Sequence, residues 1–270
     1  MFILEDLKDN KKEIIEKILS ESGRAGAVSF CAGVLDKRAY FTVDMNGNIK
    51  RKKMNYVIPA SVFLKEDSSF IDYIAENIDF AEKTKIDKIE RMTNAEIPDL
   101  KKNIFKLLAK GDYHFVCKYG KELYFKDKDE FFKMMFQFAL MDNSAFEKSL
   151  AVYSLKKYFE KFDYSDEAFY LTISYIAKMR ADFSDYENAE TENKKVSKEE
   201  LREKFRNNIY GYKTEEGLKI LGYLLGLLSY DYENEDKFTV LLQRKMEVLK
   251  DSKELTGVSA EIFECLSKEV

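Results

Sequence analysis

The chain has 270 residues, of which 45% are hydrophobic and 35% are charged, and its formal net charge is −4. This composition is too apolar for a globally disordered protein. The charge balance argues against a dedicated nucleic-acid-binding protein, although it leaves room for a local basic patch. Only two prolines and eleven glycines occur, which favours long helices over a loop-rich all-β architecture.

The sequence also indicates where the protein works. Its first residues are charged from Glu5 onward and lack the apolar core of a signal peptide. The longest apolar stretch, residues 218–230, is shorter than the roughly 20 residues that span a bilayer. Cys31, Cys117 and Cys265 are odd in number and widely separated, which is typical of free thiols. We therefore expect a cytoplasmic protein without a membrane segment.

The first 60 residues predict one helix followed by three strands. Apolar residues at helical spacing indicate a helix over residues 5–20, which Gly23 and Gly26 would end. Residues 27–35 and 39–44 have the composition of strands, and a third strand is predicted near 48–58. Asn46 and Gly47 are the favoured pair of a type I′ turn between the second and third strands. The expected result is a three-stranded antiparallel meander.

The next segment predicts two helices and a second hairpin. The helices cover about residues 69–92 and 98–110, with Pro98 in the first turn of the second helix. Two aromatic-rich runs in FVCKYGKELYF, residues 115–125, flank Gly120, which indicates a hairpin.

Nearly everything after Asp127 has a helical pattern, with capping-box spacing in pairs such as Ser197 and Glu200. The predicted fold class is therefore α+β. Residues 1–127 would form an α+β domain, in which the small antiparallel sheet (the three-stranded meander plus the hairpin) has flanking helices. Residues 128–270 would form a larger all-α helical bundle domain, with a polar linker-like loop at 184–197.

The single histidine, His114, lies three residues before Cys117 and raises the question of a catalytic or metal site. On a strand an odd separation places the two side chains on opposite faces, so they would not form a nucleophile–base pair. Isolated ligands in different elements also lack the paired spacing of structural zinc sites. The sequence contains no phosphate-binding loop. We therefore predict no catalytic residues, no metal site and no cofactor.

The strongest charge run consists of Lys50, Arg51, Lys52 and Lys53 on the third predicted strand. One interpretation is a solvated edge strand whose lysines block edge-to-edge aggregation. The other is contact with nucleic acid or an acidic partner, with Tyr40 and Tyr56 as stacking surfaces.

Gly222 and Gly226 stand four residues apart in the apolar segment LGYLLGLL. Small residues at this spacing lie on one helix face and let another helix approach closely. The neighbouring helix would come either from the same bundle or from a partner.

Three functions remain open. The leading hypothesis is a non-enzymatic cytoplasmic binding protein that acts by protein–protein contact as an adaptor, inhibitor or complex subunit. The alternatives are a nucleic-acid-binding subunit that uses residues 50–53, for instance in phage defence or counter-defence, and an enzyme of unrecognised type. A protein partner is expected, nucleic acid and a homo-oligomer are open, and no membrane is expected.

Overall fold

Helices dominate the computed structural model, which describes residues 3–37, 41–51, 54–91, 94–143, 146–189, 196–249 and 252–270. These ranges contain thirteen α-helices and one short β-hairpin of strands β1 and β2. The α-helices are α1 Lys11–Leu35, α2 Val57–Phe63, α3 Asp67–Asn77, α4 Ile97–Lys110, α5 Tyr113–Lys126, α6 Lys128–Met141, α7 Lys148–Lys161, α8 Asp166–Lys178, α9 Ser184–Glu187, α10 Lys198–Asn207, α11 Glu215–Leu228, α12 Glu235–Glu247 and α13 Gly257–Leu266. The strands are β1 Phe41–Val43 and β2 Ile49–Arg51, and short 3-10 helices cover Leu4–Lys8, Phe80–Glu82 and Ile209–Tyr212.

The predicted α+β fold is wrong, because the described residues form no three-stranded meander. Residues 27–35, predicted as the first strand, are the second half of α1. Gly23 has φ 66° and ψ −171°, so it kinks α1 at the predicted end of the first helix, but the helix then continues. The buried residues in this part recur at helical spacing: Ala27, Val28, Cys31, Ala32, Val34 and Leu35.

The predicted second hairpin, residues 115–125, is also wrong, because this segment lies within helix α5. The Asp112 side chain accepts a hydrogen bond from the backbone N–H of Phe115 and caps the helix. Gly120 is no turn residue. A Cβ at this position would lie 3.2 Å from the Phe169 ring and 3.4 Å from the Phe131 ring, so the glycine allows close helix packing.

Two further predictions in the first half hold only in part. Of the third predicted strand, the described residues form β2, Ile49–Arg51, and Val57 begins α2 with Pro59 in its first turn. The predicted helix over residues 69–92 ends at Asn77, whereas the helix predicted over 98–110 is present as α4.

Helix α7 lies at the centre of the molecule and packs against α2, α6, α8 and α11. Helices before and after residue 127 therefore bury side chains in one continuous hydrophobic core. The helical bundle predicted for residues 128–270 is confirmed, while the division into two domains at 127 stays a prediction. Part of the predicted loop at 184–197 is the short helix α9, and residues 190–195 lie outside the described ranges.

None of the helices in these ranges has both the length and the apolar character needed to cross a membrane.

Candidate binding surface

The hairpin between α1 and α2 is exposed over its turn and the residues beside it. Its strands pair antiparallel, with Val43 opposite Ile49 and Thr42 opposite Lys50. The two strands contact mainly each other. Every residue from 42 to 48 is exposed. The hairpin therefore presents a surface that the helical body does not use.

The turn of this hairpin differs from the predicted type I′ turn. The observed register leaves three residues, 45–47, between the paired Asp44 and Asn48. The backbone N–H of Gly47 donates to the Asp44 carbonyl at 2.9 Å, and Gly47 has φ 80°, which favours glycine. The Asp44 carboxylate accepts backbone N–H groups from Asn46 and Asn48, each at 2.9 Å. A three-residue loop with a left-handed glycine is the result.

The hairpin combines apolar exposure with positive charge. Met45 is fully exposed at the loop and Val43 is 58% exposed. Between residues 37 and 53 the sequence has six basic residues against one acidic residue. That acidic residue is Asp44, and hydrogen bonds from the Asn48 side chain and backbone hold its pKa below the usual range. The predicted basic residues Lys50 and Arg51 lie in β2, whereas Tyr40, Lys52 and Lys53 lie outside the described residues.

A buried ion pair fixes the end of α1, the helix that precedes the hairpin. The Asp36 carboxylate, at the end of α1, is buried and lies 2.8 and 3.0 Å from Nζ of Lys178 on α8. The Tyr170 hydroxyl and the Ser174 hydroxyl also donate to this carboxylate. At the other end of the hairpin the Asn55 side chain donates to the Leu35 carbonyl at 2.7 Å. The entry and exit of the hairpin are thus held side by side.

A polar cleft of about 420 Å³ opens beside the hairpin base. Its walls come from the start of α2, from α3, and from the first turns of α7, α11 and α13; they include Tyr56, Tyr73, Glu76, Glu147, Glu215 and Lys219. Tyr56, predicted as a stacking surface for the basic strand, is therefore part of this cleft. Its backbone N–H donates to the Tyr73 hydroxyl at 2.8 Å.

Three side chains of the cleft have a raised pKa. Burial, reinforced by the charge of Glu147, raises the pKa of Tyr56 above its ordinary value. Burial also raises the pKa of Tyr73 to about 12. Burial opposes the charge of Lys219, but Glu147 and a 2.6 Å bond to Glu216 outweigh it and raise the pKa of the ammonium group. A general base needs a pKa near neutrality. Tyr56, Tyr73 and Lys219 do not titrate there, so none of the three suits that role.

His114 and Cys117 both line a second groove of about 370 Å³, bounded by the extended segment 84–90. Positions i and i+3 are neighbours on a helix, so α5 brings the two residues to the same side. This differs from the opposite faces predicted for a strand. No hydrogen bond joins their side chains. Burial raises the pKa of the Cys117 thiol well above its ordinary value, so the thiol remains protonated and unreactive at neutral pH.

Gly222 and Gly226 of α11 face other helices of the same chain. A Cβ on Gly222 would lie 2.6 Å from Cβ and 2.9 Å from Cα of Leu150 on α7. A Cβ on Gly226 would lie 2.9 Å from the Phe136 ring on α6. Both glycines are buried, so packing within the bundle accounts for their small size.

A second ion pair is fully buried between α6 and α7. Nζ of Lys148 lies 2.5 Å from Asp142 and 2.7 Å from the Met179 carbonyl, and the Asp142 carboxylate also accepts the backbone N–H of Asp182. Each polar partner is therefore satisfied inside the core, which marks the pair as structural.

The remaining chemistry of the described residues is limited. They contain no group of three or more His, Cys, Asp or Glu side chains placed to hold a metal ion. The three cysteines are unpaired. The Asp36–Lys178 pair and the cleft were missed from the sequence because their members are far apart in the chain and carry no shared motif. No protein-family model, curated protein or solved structure matches the chain.

Proposed function

We propose that the protein is a non-enzymatic cytoplasmic binding protein that contacts an acidic protein partner through its β-hairpin. The main support for this proposal is the hairpin, which is exposed from residue 42 to residue 48 and has an excess of basic residues. Exposed Met45 supplies an adaptable apolar contact at the tip. Complementary charge speeds encounter and selects the partner. The unpaired thiols suit a reducing compartment.

The helical body supports this function by fixing the two chain segments that flank the hairpin. The Asp36–Lys178 pair and the Asn55 bond fix the chain on either side of the hairpin. A hairpin whose flanking segments are fixed loses less conformational entropy when it binds, and this improves affinity without new contacts.

The test is affinity purification of the protein from its native cells, comparing two variants that change net charge equally. One variant carries Lys50→Glu and Arg51→Glu in β2. The control carries Lys12→Glu and Lys85→Glu, whose side chains are exposed on α1 and on the segment after α3. We expect a defined acidic partner with the wild type and the control, and its loss with the hairpin variant. Equal recovery with all three proteins would contradict the proposal.

Single-stranded nucleic acid is the second candidate, because the same basic excess would attract phosphates. A gel-shift titration with the same variants distinguishes the two. Nucleic-acid binding would weaken steeply as salt is raised and would be lost in the hairpin variant. The placement of Tyr56 in the cleft removes one of the two tyrosines predicted to stack on bases.

A further inference from the structure

Within the described residues the hairpin has two strands and no third strand on either side. Its strand order is β1–β2, and no described residue pairs with the outer edge of either strand. A two-stranded hairpin alone is only marginally stable in water, and a third strand would supply the missing hydrogen bonds. Natural proteins usually cover or block such edges unless a partner uses them.

The register identifies the backbone groups that point outward. Asp44 and Asn48 form a hydrogen-bonded pair, with the Asp44 N–H donating to the Asn48 carbonyl at 3.0 Å. Because hydrogen-bonded and non-hydrogen-bonded pairs alternate in an antiparallel ladder, Val43 and Ile49 form the next, non-hydrogen-bonded pair. The N–H and C=O groups of Val43 therefore face the outer edge of β1, and those of Ile49 face the outer edge of β2.

Charge distinguishes the two edges. β2 contains Lys50 and Arg51 and continues directly into Lys52 and Lys53, whereas β1 contains Phe41, Thr42 and Val43 without a charge. An acidic segment would therefore gain more beside β2 than beside β1.

We infer that the outer edge of β2 receives an extended acidic peptide as an added strand. Backbone hydrogen bonds to Ile49 and Arg51 would give affinity, and carboxylates on the peptide would select the basic strand. This inference rests on the proposed function and specifies how the hairpin recognises its acidic partner.

Proline substitutions test the edge directly, because proline removes one N–H and is tolerated where that N–H points away from the ladder. Ile49→Pro removes an outward donor from β2. Its matched control is Val43→Pro, which removes the outward donor from the residue directly opposite on β1. Circular dichroism would verify that both variants keep the helical body.

The probe is a fluorescent peptide of about eight residues that alternates glutamate and threonine, a length typical of a strand. A second version carries an N-methyl group on every residue and cannot donate backbone hydrogen bonds along either edge. In fluorescence anisotropy at low salt we expect Ile49→Pro and N-methylation each to weaken binding by about tenfold. Val43→Pro should leave the affinity unchanged.

The outcomes separate this inference from the proposed function. Unchanged binding by Ile49→Pro, a greater loss with Val43→Pro, or no binding of the unmethylated peptide to the wild type would overturn strand addition at β2. If Lys50→Glu with Arg51→Glu still abolishes recovery of the native partner in that case, the proposed function stands without strand addition. If this charge reversal leaves partner recovery intact, the proposed function itself fails.

Discussion

Asp36→Ala is expected to destabilise the protein strongly, because the Asp36 carboxylate is 2% exposed and the Lys178 side chain is 9% exposed. The substitution removes four hydrogen bonds, two from Lys178 and one each from Tyr170 and Ser174. It leaves the Lys178 ammonium with the Lys37 carbonyl as its remaining hydrogen-bond acceptor. Breaking a buried ion pair from one side costs about 3–5 kcal/mol.

The lower end of that range applies here. The Lys178 ammonium lies 4.8 Å from the centre of the Tyr113 ring, and this contact survives the substitution. A loss of about 3 kcal/mol is still a large share of the roughly 5–15 kcal/mol that stabilises a typical domain. It would lower the melting temperature by about 6–12 °C, at about 2–4 °C per kcal/mol for a chain of similar length.

Urea unfolding followed by circular dichroism measures this loss, with Asp72→Ala as the control. Asp72 also pairs with a lysine, Lys12, but both side chains are more than half exposed, so the control should lose less than about 1 kcal/mol. The double variant Asp36→Leu with Lys178→Met should recover most of the stability, since it leaves no unpaired buried charge. Asp36→Ala and Asp72→Ala with equal stability would refute the reasoning.

Four other predictions concern the core and the hairpin turn. Gly222→Ala should cost about 1–3 kcal/mol and exceed Gly226→Ala, because Gly222 faces the α7 backbone and Gly226 faces a movable Phe ring; urea unfolding of both variants checks the order. Lys148→Ala should cost about 3–5 kcal/mol, whereas Lys148→Met with Asp142→Leu should lose less in the same assay, because it removes both buried charges and leaves only the bonds to Asp182 and Met179 unmade. Burial raises the pKa of many tyrosines, Tyr223 among them, above the unfolded value of 10.0. The stability that these tyrosines contribute is therefore complete below pH 10 and falls as the pH rises further. Tyrosinate absorbance should appear together with the loss of circular dichroism, and ionisation of the tyrosines before unfolding would contradict the raised pKa. Asp44→Ala should speed amide hydrogen exchange at Asn46 and Asn48 without lowering the melting temperature of the helical body, because the lost bonds lie in the turn alone; unchanged exchange would contradict this role for Asp44.

Local signals predicted those elements whose ends are fixed by neighbouring residues. The Asp127 side chain accepts the Glu130 N–H at 2.9 Å, and Ser197 with Glu200 forms the expected capping box at the start of α10. The turn near Gly47 was also visible in the sequence, although Asp44 draws the loop into a three-residue form by accepting two backbone donors.

The errors came from segments whose structure depends on distant partners. Residues 27–35 and 115–125 are rich in β-branched and aromatic side chains, which resemble strands when composition alone is considered. Their helical form buries these side chains against α8 and α4, which lie elsewhere in the sequence. The Asp36–Lys178 pair joins residues 142 positions apart, so no window of sequence contains it.

The chain segments before and after the hairpin lie side by side, so the hairpin can be exchanged without changing the helical body. Since the Asn55 side chain bonds the Leu35 carbonyl at 2.7 Å, the two helices that flank the hairpin already meet at their ends. A short connection could replace the hairpin without opening the core, and a different hairpin could be grafted in its place. The hairpin could therefore be changed in sequence and length while the helical body keeps its fold.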